Sequence, residues 1–195
     1  MNKLSSVIRC LLCAGFVFLA AWAATGCSKA DYEYASERAY FIFDNSIHQD
    51  KTLQTATNNM SPGVFCRIWE GSEEGSVFFY FANNQGLTSK QKAYAEEIRR
   101  TRVIGVYNKS GVIVGYGNLT SPAELYVYDS QCPNCYNSTN MANYRLTLTS
   151  DGHAVCPNCK RKYDLNSRGI TTDGKKLMRY RATCSGPLGT LVINN

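Results

Sequence analysis

The chain has 195 residues, a formal net charge of +6 at pH 7 and an aromatic content of 12%, mostly tyrosine. That length holds one well-buried domain of ordinary size and leaves little for a second. Modest charge with frequent turn residues excludes a disordered chain and reads as a strand-rich globular protein.

Residues 1–26 read as a bacterial lipoprotein signal peptide. Lys3 and Arg9 form a basic start, and residues 10–22 are an apolar run too short for a committed membrane span. The segment ends in Ala24-Thr25-Gly26-Cys27, a small-residue box before a cysteine that becomes acylated. Cys27 is therefore the expected lipidation site, and it leaves the thiol inventory together with Cys10 and Cys13. An anchored chain of this kind works in the cell envelope, and Ser28 directs it toward the outer membrane. From Arg145 onward there are nine Lys or Arg against three Asp. In an exported protein this reads as a solvated basic face, not a nucleic-acid footprint.

Residues 27–61 read as a lipidated tether with one early strand at 39–43, followed by a polar linker from His48. Pro62-Gly63 then opens the main domain, 62–195. Strands are predicted at 64–69 and 77–82, joined by a Gly-rich, acidic turn. The run 77–81, apolar on both faces, is expected to be sandwiched in the core. One helix is predicted over 89–102, with Thr88 and Gln91 as a T-x-x-Q capping box. Further strands are predicted at 103–107, 112–116, 125–128, 144–149, 163–165, 177–182 and 188–193. Many short strands with Gly and Asn turns predict an all-β, antiparallel sandwich or barrel with one short helix.

The strongest chemical signal is a duplicated tetrapeptide, Cys132-Pro133-Asn134-Cys135 and Cys156-Pro157-Asn158-Cys159. The pairs give C-x2-C-x20-C-x2-C, the spacing of a four-thiolate metal site. Asn134 and Asn158 are expected to serve the turns, while Tyr126, Tyr128 and Tyr163 flank the site and shield it. His153 stands three residues before Cys156, but four thiolates already complete a site. Cys66 and Cys184 remain, either as a disulfide pair or as separate buried thiols.

Residues 125–194 resemble a Rieske-type domain. The resemblance rests on Tyr128-Asp129-Ser130-Gln131-Cys132 leading into a first loop. It rests equally on Cys156-Pro157-Asn158-Cys159, followed by Tyr163-Asp164-Leu165 and Gly169, and on the closing Gly186-Pro187. It implies a Rieske-like antiparallel fold with a zinc-ribbon-like metal subdomain whose loops span 129–169. A Rieske site, however, pairs each loop cysteine with a histidine, and here Cys135 and Cys159 stand in those places. The fold is implied; Rieske redox chemistry is not.

Three fates remain for Cys132, Cys135, Cys156 and Cys159. The first is a structural Zn²⁺ that staples the two loops. It is favoured by a signal segment with a single Arg9 and no twin-Arg pair, since a chain exported unfolded would not carry a cluster across. The alternative is an all-Cys 2Fe–2S cluster in an electron-transfer protein, with a redox partner docking near Pro133, Pro157 and Pro187. The third is metal-free, with disulfides or thiol–disulfide exchange. No nucleophile–base pair, carboxylate dyad or phosphate loop marks an enzyme. The expected function is a binding or assembly protein of the envelope, held to the membrane by its lipid and facing an envelope protein partner.

Overall fold

The computed structural model describes residues 33–108 and 110–195. The expected signal peptide and the lipidation site Cys27 lie outside the described residues. Among the described residues no helix is long and apolar enough to cross a membrane. One compact unit runs from Tyr34 to Asn195.

Eight strands form one antiparallel sheet: β1 (Tyr40–Asp44), β2 (Phe65–Glu73), β3 (Ser76–Asn83), β4 (Thr88–Lys92), β5 (Val112–Tyr116), β6 (Leu125–Asp129), β10 (Arg179–Cys184) and β11 (Thr190–Asn194). Their order is β1-β11-β10-β6-β5-β2-β3-β4. The sheet curls back on itself. Phe41 and Phe43 of β1 stand at one end of that order and Phe79 and Phe81 of β3 near the other. Yet Phe41 and Phe79 have ring centroids 5.3 Å apart, and Phe43 and Phe81 5.1 Å. The bend falls at β10, whose first residues Arg179 and Tyr180 pair with β6 while Arg181–Cys184 pair with β11.

Strand periodicity places successive side chains on opposite faces, and in β5, β6 and the first residues of β2 both faces are buried. Cys66 and Ile68 of β2, Val112 and Val114 of β5, and Val127 of β6 point into the inner aromatic core. Their neighbours Phe65, Ile113, Tyr126 and Tyr128 point outward into a second core. That second core is closed by a small sheet, β7 (Thr147–Leu148), β8 (His153–Val155) and β9 (Lys162–Asp164). The predicted all-β antiparallel architecture is therefore what forms, with a small lobe carrying the cysteines seated on the outer face.

Several expectations differ from the structure. The polar stretch after the first strand is helical and belongs to the unit: α1 (Asn45–His48) and α2 (Lys51–Ala56) follow β1 directly. Asp44 and Asp50 cap them by accepting from the Ser46 and Leu53 N–H groups. Helix α2 buries Leu53 and Ala56 in the inner core, and its polar face bonds the far edge of the sheet. Ser89 Oγ donates to Thr52 Oγ1 at 2.8 Å, Gln91 Nε2 to Asp50 Oδ2 at 2.9 Å and Asn83 Nδ2 to Thr55 Oγ1 at 2.9 Å. Residues expected as tether thus stop the seam between the two ends of the curled sheet.

Of the helix expected at 89–102, the first four residues are strand and five are helical. Residues 88–92 form β4, paired along β3 with alternating exposure, and no Thr88 capping box forms. Only α3 (Ala95–Arg99) is helical, with the Tyr94 N–H donating to Glu97 Oε2 at 2.8 Å. The strand expected at 103–107 reduces to one bridge at Val103 and a 3₁₀ turn, Val106–Asn108. The run 77–81 is core on one face only. Phe79 and Phe81 point in, whereas Tyr80 lies outside, stacked on Trp69 at 5.4 Å with Arg67 over the indole at 4.3 Å. Tyr80 covers Gly71, where a Cβ would lie 2.8 Å from Cε2 of the ring.

Two expected outcomes follow from this packing. Phe43→Ala should lower unfolding stability by about 3–5 kcal/mol, measured by urea denaturation. A chain starting at residue 62 lacks β1, α1 and α2 and should lose cooperative unfolding altogether, read by the same titration.

Candidate metal centre

The first cysteine loop is positioned by a buried carboxylate. Asp129, at the end of β6, is fully buried and accepts the Val106 N–H at 2.7 Å, the Gln131 N–H at 2.6 Å and the Tyr180 hydroxyl at 2.6 Å. Burial pushes its pKa up, and these donors, with the Ser110 hydroxyl, pull it back. The bond to Gln131 turns the chain out of the large sheet. From there the Leu146 N–H donates to Ser130 O at 2.7 Å and the Cys132 N–H to Tyr144 O at 2.9 Å. Gln131 Oε1 also accepts the Tyr144 N–H, at 3.1 Å. The loop is laced to the 144–148 segment before the first sulfur appears.

Cys132 caps helix α4 (Pro133–Thr139), with Pro133 in the first turn, where its missing N–H costs nothing. The tetrapeptide read as a bare turn is thus the opening turn of a helix in the first copy. The Cys135 N–H there donates back to the Cys132 sulfur. The second copy is the expected turn, between β8 and β9. The Cys156 N–H donates to Arg161 O at 2.9 Å and the Lys160 N–H to Cys156 O at 3.0 Å, with Lys160 in the left-handed region at φ 59°. The Asn158 and Cys159 N–H groups donate to the Cys156 sulfur, and the Arg161 N–H to the Cys159 sulfur. Both loops therefore aim backbone donors at sulfur, which favours the thiolate.

The two loops converge. The Sγ atoms of Cys132, Cys135, Cys156 and Cys159 all lie within 4.8 Å of one another. The shortest approaches run across the loops: Cys132 to Cys159 at 3.6 Å and Cys135 to Cys156 at 3.8 Å. Such a four-thiol group can hold a metal ion. A disulfide would need about 2.0 Å, and the six cysteines among the described residues are free. Cys132, Cys135 and Cys156 are buried and Cys159 is half-buried.

The electrostatics of the four sulfurs are unequal. Burial pushes Cys132 up to about 12 despite the Tyr163 hydroxyl and the Cys135 N–H. Burial also opposes the Cys159 thiolate, but the Arg161 N–H and the neighbouring thiols outweigh it and bring Cys159 down to about 7. Two side chains beyond the cysteines touch sulfur. The Tyr163 hydroxyl lies 3.4 Å from Cys132 Sγ, and Asn158 Nδ2 donates to Cys135 Sγ at 3.3 Å. Tyr163 thus shields the site as expected, and Asn158 does more than shape its turn. Tyr126 and Tyr128 lie beneath, stacked at 5.7 Å, with the Tyr128 hydroxyl donating to Leu165 O at 2.9 Å.

The other expected residues lie apart. His153 is not among the converging ligands; its Nδ1 faces Asp151. Asn134 is exposed. Cys66 is buried in the inner core and Cys184 packs half-buried against it, both with thiol pKa values raised by burial. Asp129, which the sequence shows only as one residue of the run 128–132, is the polar group that positions the first loop. No protein-family model, no curated protein and no solved structure matches the chain.

Asp129→Ala should cost about 3 kcal/mol or more, since it orphans two buried N–H groups and a buried hydroxyl at about 1–3 kcal/mol each. Urea unfolding measures the loss. In metal-free protein, alkylation of Cys159 by iodoacetamide should rise through about pH 7 while Cys132 stays protonated and slow. Peptide mass spectrometry across a pH series reads both, and equal midpoints would contradict the geometry.

Proposed function

We propose that the four cysteines hold one structural Zn²⁺ and that the domain is a non-catalytic binding or assembly module of the cell envelope, anchored by a lipid on Cys27. The observation that carries the metal reading is the spacing of the sulfurs. A tetrahedron of Zn–S bonds of about 2.3 Å has S···S edges of about 3.8 Å. The two shortest approaches are 3.6 and 3.8 Å, and all four sulfurs lie within 4.8 Å. A single ion fits that set. A 2Fe–2S core needs its ligands in two pairs set apart by two irons and their bridging sulfides, and the sulfurs show no such division.

Bound zinc supplies charge that holds all four thiols as thiolates. The chain's own residues do the rest: the N–H groups of Cys135, Asn158, Cys159 and Arg161 and the amide of Asn158 stabilise that negative charge. With four protein ligands the site is closed, which suits a staple and not a catalyst. The Rieske resemblance supports the same reading, for a two-loop lobe on an antiparallel sheet is the arrangement it implies, with cysteine where redox-active relatives use histidine.

Residues 28–195, purified without chelator, should be colourless and carry about one zinc per chain, measured by elemental analysis beside a visible spectrum. Two irons per chain with visible charge-transfer bands would replace this reading by an electron carrier. Cys135→Ser should abolish zinc binding. Acid should release the metal from the native protein, because metal-bound thiolates have depressed pKa values and their stabilisation is lost as pH falls through them. In the full chain, Cys27→Ser should abolish incorporation of labelled fatty acid.

A further inference from the structure

The four sulfurs are not equally reachable, and this asymmetry defines a reactive site. Cys132, Cys135 and Cys156 are at most 2% exposed, whereas Cys159 is half-buried and opens onto a cavity of about 730 Å³. The rim beside it is basic: Lys160, Arg161 and Lys162 stand in sequence, against the lining carboxylates Asp164 and Asp173. Both carboxylates are engaged within the lobe, Asp164 by the Asn166 and Ser167 N–H groups and Asp173 by Thr171 and Arg161. The Lys160 ammonium rests on Pro157 O at 2.6 Å. Lys162 pairs with Asp151 at 2.8 Å and Arg161 with Asp173 at 2.7 Å, both at exposed positions, where such pairs hold weakly. His153, Ser167 and Thr171 complete a polar wall.

We propose that this cavity admits small anionic disulfides and that Cys159 is the site of their attack, resolved by Cys132 across the loops. The inference rests on the four-thiolate reading and adds to it a defined modification site and pairing. The Cys159 thiolate attacks one sulfur of the disulfide RSSR; the S–S bond breaks, a bond from Cys159 Sγ to that sulfur forms, and one RS⁻ leaves. The Cys132 sulfur, 3.6 Å away and a thiolate when the four-cysteine site holds its cation, then attacks Cys159 Sγ and expels the second RS⁻. Each of the two cysteine sulfurs gives up one electron, and the disulfide takes both to become two thiolates. The product is a Cys132–Cys159 disulfide, not the Cys132–Cys135 or Cys156–Cys159 bridge that each C-x-x-C suggests. It leaves Cys135 and Cys156, two ligands where a closed zinc site needs four.

The test uses the full chain, with metal content measured before any oxidant is added. Oxidised glutathione, which is anionic, and cystamine, which is cationic, are then compared by timed acid quench and non-reducing peptide mapping. The first adduct should be on Cys159, followed by a Cys132–Cys159 disulfide with loss of the bound metal. Oxidised glutathione should react about threefold faster or more, and Lys160→Glu with Arg161→Glu should reverse that preference. Cys132→Ser should accumulate the Cys159 mixed disulfide; if this variant does not fold, the quenched native chain supplies the same intermediate. A first adduct elsewhere, a bridge within either C-x-x-C, or cystamine reacting as fast overturns the proposal. Protein that carries no metal at the outset contradicts the zinc reading alone, since the order of modification is still measured.

Discussion

The fold depends on burying both faces of the sheet where β5 and β6 run beside the first residues of β2. β2, β5 and β6 alternate apolar side chains toward an aromatic interior on one side and toward the cysteine lobe on the other. Antiparallel sheets usually leave one face wet. Here the outer face must be covered, or Phe65, Ile113, Tyr126 and Tyr128 would stand in water. The lobe that covers it brings the four cysteines with it, so the four-thiol site sits over the doubly buried part of the sheet.

Asp129 joins the two layers. A buried carboxylate is costly unless its hydrogen-bonding capacity is filled, and three elements converge to fill this one: the turn at Val106, Tyr180 of β10 and the start of the cysteine loop at Gln131. The same turn uses Gly111, whose φ of 84° and close approach to Ile68 O at 2.5 Å from a built Cβ exclude a side chain. The diversion of Val106 toward Asp129 is also why the strand expected at 103–107 does not form. One acid therefore fixes where the sheet ends and where the first sulfur begins.

Strands and ligands were legible in the sequence for different reasons. β5 and β6 announce themselves by apolar runs between Gly and Asn turns, and the cysteines by a repeated tetrapeptide that needs no fold to be seen. What stayed hidden is polar pattern with a tertiary purpose. β4 alternates as a strand should, but its inward residues are Ser89 and Gln91, which bond Thr52 and Asp50 instead of packing. Without that partner the segment reads as a helix start. Likewise 45–56 looks like linker because its work is done by Asp caps and by hydroxyls that meet β3 and β4. Asp129 was visible as a residue, but the three donors that give it meaning come from separate stretches of chain.

The lobe and the large sheet differ in what keeps them folded. The large sheet has long ladders and an aromatic core packed from both ends of its strand order. The lobe has strands of two or three residues, too short to persist without packing or a staple. Its own apolar residues, Leu146, Ala154, Tyr163, Leu165 and Leu177, bury against Tyr126 and Tyr128, and the sulfurs lie among them. Three thiols held at or below 2% exposure, with one of them pushed up to about 12, are a poor core by themselves when ionised and a good one when neutralised by a cation. The sulfurs share one buried cluster with Phe65, Ile113, Tyr126 and Tyr128, so the lobe is held through the same apolar face that closes the outer side of the sheet.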